Sequence, residues 1–105
     1  MSQLPERYRA FADDQPAIFA AYEQLGATAA EAGPLDQKSR ELIKLGMAAA
    51  LRAESAVHSH VHRALAAGAS RAEIEHAVLI GITTLGFPTM MTALSWVRAA
   101  FAHAE

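Results

Sequence analysis

The chain has 105 residues, nine Lys or Arg against eleven Asp or Glu, a net charge of −2, 52% hydrophobic residues and no cysteine. That length sets a single domain over residues 1–105, and the net charge of −2 argues against a nucleic-acid partner, whose binder would show a basic face. Without cysteine the chain has no disulfide, no thiolate metal site and no thiol nucleophile, and the start Met1-Ser2-Gln3-Leu4-Pro5-Glu6 lacks the apolar core of a signal peptide, so a cytoplasmic location is expected.

In chain order the patterns are helical. Leu4 to Ala12 reads as a short helix with Pro5 in its first turn. Asp13 or Asp14 caps the next, Pro16 suits its first turn, and an apolar stripe of Ile18, Phe19, Tyr22 and Leu25 carries it to about Ala32. Core packing is the expected role of that stripe. Gly33-Pro34 ends the helix. Asp36 caps a helix over about Gln37 to Arg52, apolar at Leu42, Ile43, Leu45 and Ala49. A bend at Ala53 to Ser55 precedes a helix from Ala56 to Ala67, stopped by Gly68. Ser70-Arg71-Ala72-Glu73 is a capping-box pattern. It opens a helix to about Leu85, apolar at Ile74, Ala77, Val78, Gly81, Ile82 and Leu85. Gly86-Phe87-Pro88 breaks it, and Pro88 starts the last helix, apolar at Met91, Leu94, Val97 and Phe101. The run from Ala77 to Val97 has no charge and is long enough to span a bilayer. The Gly86-Phe87-Pro88 interruption and the threonines in both halves make two buried helices the better reading, so no membrane partner is expected. With no strand runs and no clear internal repeat, the fold class is all-α, with about six helices.

The chemistry-bearing groups concentrate between Asp36 and Gly68. Glu41 lies beside the apolar positions of its helix, and an unpaired buried carboxylate is costly, so it is exposed, paired or held for use. His58, His60 and His62 alternate along the following helix. At about 100° per residue, His60 shares a face with Ala56 and, where the helix extends back, Ala53. His58 and His62 lie one turn apart on the opposite face, one turn after Glu54.

The order Glu41, eleven residues, Ala53-x-x-Ala56, three residues, His60, then an Ala/Leu-rich turn to Gly68, resembles the carboxymuconolactone decarboxylase and alkylhydroperoxidase D superfamily. In the thiol-peroxidase branch a Cys-x-x-Cys pair occupies the places of Ala53 and Ala56. The resemblance runs from about Leu35 to Val97 and includes the turn at Gly68 to Ile74 and the break at Gly86. It implies an alkylhydroperoxidase D-like helical domain, homo-oligomeric as a trimer or hexamer, with a pocket near a subunit boundary. The oligomer would add burial that a lone domain of this size lacks. In the peroxidase branch the matched glutamate and histidine help activate a thiolate, the nucleophile that alanine cannot replace. The spacing survives here and the redox chemistry does not. The decarboxylase branch also lacks the cysteine pair and keeps a histidine at this place.

The leading expectation is therefore a lyase or decarboxylase type of protein. It would use Glu41 and His60, with His76 as a further acid–base group, for proton transfer on a small organic substrate, with no cofactor required. Arg40 and Arg52 are candidates to hold a substrate carboxylate. For His76 a core or interface position is the alternative. His58 and His62 at i, i+4, with Glu54 adding an oxygen, would offer a divalent metal an incomplete site that His76 could complete. That second reading is a metal-dependent oxidoreductase carrying a peroxidase-like family label. A third is a non-catalytic oligomeric scaffold. His103 is expected to be exposed.

Overall fold

Proline, glycine and capping signals divide the chain into helices. A computed structural model describes residues 6–103. Among them are seven helices and no strand: α1 (Glu6–Asp14), α2 (Pro16–Ala30), α3 (Gln37–Ala50), α4 (Glu54–Ala66), α5 (Arg71–Leu79), α6 (Ile82–Leu85) and α7 (Phe87–His103). They form two compact units, one ending at Asp36 and one beginning at Gln37.

The first unit is a pair of helices. The expected helix start at Leu4 and Pro5 lies outside the described residues. Asp13 and Asp14 do not cap α2, because α1 continues through both. Gln15 takes the cap position without a side-chain bond, and Pro16 opens α2. The expected core stripe is corrected here. Neither helix buries a residue, and Ile18, Tyr22 and Leu25 are exposed while Phe19 is half-buried. Two helices present only one mutual face, too little to enclose four large side chains. Tyr8, Phe11, Phe19 and Tyr22, with Arg7, line a cleft between α1 and α2.

The second unit holds the core. Leu45 from α3, Val57 and Val61 from α4, Ile74 and Val78 from α5, and Val97 from α7 are essentially inaccessible. Each such side chain contributes roughly 1.5–3 kcal/mol by burial. Ala48, Ala49, Ala64, Ala93 and Ala100 fill the spaces between them, so the helices approach closely. On α7 the inward methionine is Met90, with Met91 exposed, which corrects the expected register at that turn. Starting the helix at Phe87 with Pro88 in its first turn sets Met90, Ala93, Leu94, Val97, Ala100 and Phe101 on one face. Ile43 and Ile82, also expected inside, are exposed.

Two helix ends share one hydrogen-bond pattern. After α4, the Ala69 N–H donates to the Ala64 carbonyl and the Gly68 N–H to the Leu65 carbonyl, with Gly68 at φ 96°. After α3, the Ala53 N–H donates to Ala48 and the Arg52 N–H to Ala49, with Arg52 at φ 55°. Both are Schellman closures, whose C′ residue is left-handed. The α3 closure falls earlier than the bend expected at Ala53 to Ser55, so α4 begins at Glu54 rather than Ala56. The helix expected from Ser70 to Leu85 is divided at Ile80 and Gly81. There the Gly81 N–H donates to Val78, three residues back, and the backbone tightens. No helix among the described residues is long and apolar enough to cross a membrane. The uncharged run to Val97 is split among α5, α6 and α7.

Candidate active site

The site forms where α3 packs on α4. Glu41 lies in the second turn of α3, beside the inward Leu42 and Leu45. His60 lies in the middle of α4, between Val57 and Val61, which point into the core. Helix periodicity thus turns both side chains toward the shared seam. Glu41 Oε1 and His60 Nδ1 are 2.8 Å apart, with the two side chains only 12% and 14% exposed. A carboxylate accepts and does not donate, so Nδ1 carries the hydrogen. That fixes the tautomer and leaves Nε2 as the free lone pair. A carboxylate so placed holds the imidazole ring in one orientation.

Ala53 is the N-cap of α4 and makes no side-chain cap bond. Ala56 follows in the first turn, half-buried, with His60 one turn beyond. A methyl group at each position offers no nucleophile or metal ligand, so the chemistry of this seam rests on the carboxylate and the imidazole.

No hydrogen bond or ion pair joins His76 to Glu41 or His60. It is exposed on α5 because Ile74 and Val78 take the core positions. It lines an apolar groove of about 470 Å³ with Leu42, Ile43, Gly46, Ala77 and Ile80, and neither Glu41 nor His60 lines that groove. Arg52 donates from Nη2 to Thr89 Oγ1 at 2.7 Å. Arg40 is half-buried on α3.

His58 and His62 lie on the face of α4 opposite His60, as helical spacing requires, and meet α7. His62 Nε2 donates to the Ala100 carbonyl at 3.2 Å. His58 Nε2 is 3.9 Å from Glu54 Oε2 and buried without a hydrogen-bond partner. Its ring centroid is 6.4 Å from that of His103, which is itself exposed as expected. Burial holds the His58 imidazole below its ordinary pKa, with His62 and His103 adding to the effect and Glu54 opposing it. Among the described residues, no group of three or more His, Cys, Asp or Glu side chains has the geometry to hold a metal ion. The anticipated grouping of His58, His62 and Glu54 is not such a group, because His62 is turned to a backbone carbonyl of α7. Sequence reasoning missed that bond and the approach of His103. Both join positions about forty residues apart that share no local pattern.

The second unit is thus an all-α core, in a chain without cysteine, that sets one carboxylate against one imidazole at a helix–helix seam. Residues 16–99 match the carboxymuconolactone decarboxylase family model, and the chain belongs to that family. It is 40% identical over 63 residues to an uncharacterized protein of Haemophilus influenzae, a match covering 60% of this chain and 56% of that one. The chain thus spans little more than half the length of this relative. A crystal structure from Burkholderia xenovorans LB400, provisionally named a carboxymuconolactone decarboxylase, superposes with a TM-score of 0.72 at 25% identity, over 95% of this chain and 81% of that one.

Proposed function

We propose that the chain is a cysteine-less acid–base enzyme of the decarboxylase or lyase type, acting on a small organic substrate. His60 Nε2 moves the proton and Glu41 orients the imidazole. The observation that carries this reading is the 2.8 Å Glu41–His60 contact, screened from solvent on both sides. An imidazole takes and gives protons near neutral pH, and a fixed tautomer adds to its efficiency. Family membership supports the substrate class, small lactones and carboxylates. Thiol peroxidation is excluded for this chain because it has no cysteine.

The test is a screen of small lactones and carboxylates for decarboxylation and for exchange of substrate C–H protons with deuterated solvent. Turnover in the wild type should fall by about 10²–10⁴-fold in His60→Gln, the range for a lost general base. Circular dichroism and oligomer mass should be unchanged. Full turnover in a folded His60→Gln variant removes His60 from the mechanism.

The chain further self-associates through the second unit. Ile43 and Met47 on α3, with Ile80 on the α5–α6 turn, are exposed around the apolar groove that holds His76. A second groove, lined by Gly46, Met47, Ala77, Ile80 and Thr84, shares its floor. A homo-oligomer covers this face, and His76 then lies at a subunit contact.

A further inference from the structure

The face of α4 opposite the candidate active site carries a titratable cluster that acid–base chemistry at His60 does not use. Its members are Glu54, His58 and His62 on α4 and His103 in the last turn of α7. His62 Nε2 donates to the Ala100 carbonyl, one of the last four of α7, which have no partner within the described helix. His58 faces His103 across the same junction, ring to ring at 6.4 Å. Ala100 and Phe101, the core residues of that turn, are buried beneath it.

We propose that this cluster is an acid-sensitive latch that holds the last turn of α7 on α4 at neutral pH and releases it on acidification. His62 caps the end of α7, and the rings of His58 and His103 pack across the junction. In acid His62 keeps its Nε2–H and its bond to Ala100, because an imidazolium donates from both nitrogens. The change comes at His58. Its Nε2 is buried and unpartnered, so a proton there places charge in a site with no acceptor at hydrogen-bond distance. The titratable and charged groups acting on His58 are Glu54 and His62 on its own helix and His103 on α7; among the described residues, α3 and α5, also packed on α4, contribute none. Two of the three are imidazoles, which repel it once charged. Glu54 is attractive but 3.9 Å away and 60% exposed, so water screens it. The depressed His58 pKa agrees in sign. Stability is complete above the unfolded imidazole value and falls as pH drops through the folded one. The movable part is the last turn of α7, which is held by the burial of Ala100 and Phe101, by Arg71 over the Phe101 ring at 4.9 Å and by the His62 bond to Ala100.

Amide hydrogen exchange on the intact chain, corrected for intrinsic rates, tests this between about pH 7.5 and pH 5, the range over which imidazoles change charge. Fluorescence of Trp96, the one tryptophan, is followed in parallel. The wild type should lose protection over residues 100–103 at the acid end, while α3 and α5 keep theirs. His58→Gln should abolish the acid loss, and His103→Gln should move it to lower pH with neutral-pH stability retained. Protection at 100–103 that is independent of pH in the wild type overturns the latch. So does an acid loss that persists unchanged in folded His58→Gln or His103→Gln.

Discussion

At the scale of single residues, two left-handed positions carry different side chains. Gly68 and Arg52 occupy equivalent places in the closures of α4 and α3, yet only glycine adopts that backbone without cost. A side chain there is unfavourable by about 1–2 kcal/mol. Nothing lies within 4 Å of a Cβ added at Gly68, so the cost of Gly68→Ala comes from backbone alone. It should appear as a loss of about 1 kcal/mol in urea unfolding. Arg52→Gly should be more stable than Arg52→Ala by a similar amount, roughly 1 kcal/mol. Both variants lose the Thr89 bond, and only glycine relieves the strain. The Glu41–His60 pair has its own stability signature. His60→Ala leaves a nearly buried carboxylate without its partner and should cost about 1–3 kcal/mol. Glu41→Ala combined with His60→Ala should cost less than the sum of the two, and strict additivity would show that the contact is energetically silent.

At the scale of elements, α5 depends on its ends. Ser70 Oγ accepts from the Glu73 N–H at 3.0 Å, and Glu73 Oε1 accepts from the Ser70 N–H at 2.9 Å. Lys38 on α3 reaches Glu73 Oε2 at 3.1 Å. Ser70→Ala should cost about 1 kcal/mol in unfolding free energy. The Ser70 backbone N–H holds the Glu73 carboxyl below the ordinary glutamate range, with Lys38 adding to it. Glu73 therefore supports the fold above the unfolded glutamate pKa, and that support is lost as pH falls through its lower folded value. Glu73→Gln should flatten the acid limb of the stability profile, and an unchanged limb would assign the acid sensitivity elsewhere. The α5–α6 junction depends on a glycine for space. A Cβ at Gly81 would lie 3.0 Å from the Val78 carbonyl and 3.1 Å from Leu85 Cδ1. Gly81→Ala should destabilise by about 1–3 kcal/mol through overpacking, although alanine favours helix. A stabilised variant would mean that the junction straightens into one helix.

At the scale of the whole molecule, the exposed apolar residues predict assembly. Met47 is 60% exposed and Ile80 62%, beside a groove whose lining is apolar apart from Glu73 and His76. Met47→Glu or Ile80→Glu should lower the oligomer mass seen by light scattering, because a carboxylate buried without a partner costs several kcal/mol. A wild-type monomer at micromolar concentration, or an unchanged oligomer in both variants, would place the subunit contact on another face.

The sequence by itself determined the all-α class, the main breaks at Pro16, Gly33, Gly68 and Gly86, the capping box at Ser70, and the separation of His60 from His58 and His62. Each of these is local, written in helical periodicity or in a residue with a special backbone preference. The Glu41–His60 pairing was legible through family spacing, since residues nineteen apart on two helices meet only if the intervening turn has one particular length. That turn rests on Arg52, which carries no sequence signal for a left-handed position. Only the tertiary structure decided that Met90 rather than Met91 points inward, that Ile18, Tyr22 and Leu25 of the α2 stripe lie exposed, and that His76 lines a groove that Glu41 and His60 do not line. It alone brought His103 and the Ala100 carbonyl to the histidines of α4. Those outcomes depend on which faces neighbouring helices cover, and the packing of distant segments fixes that.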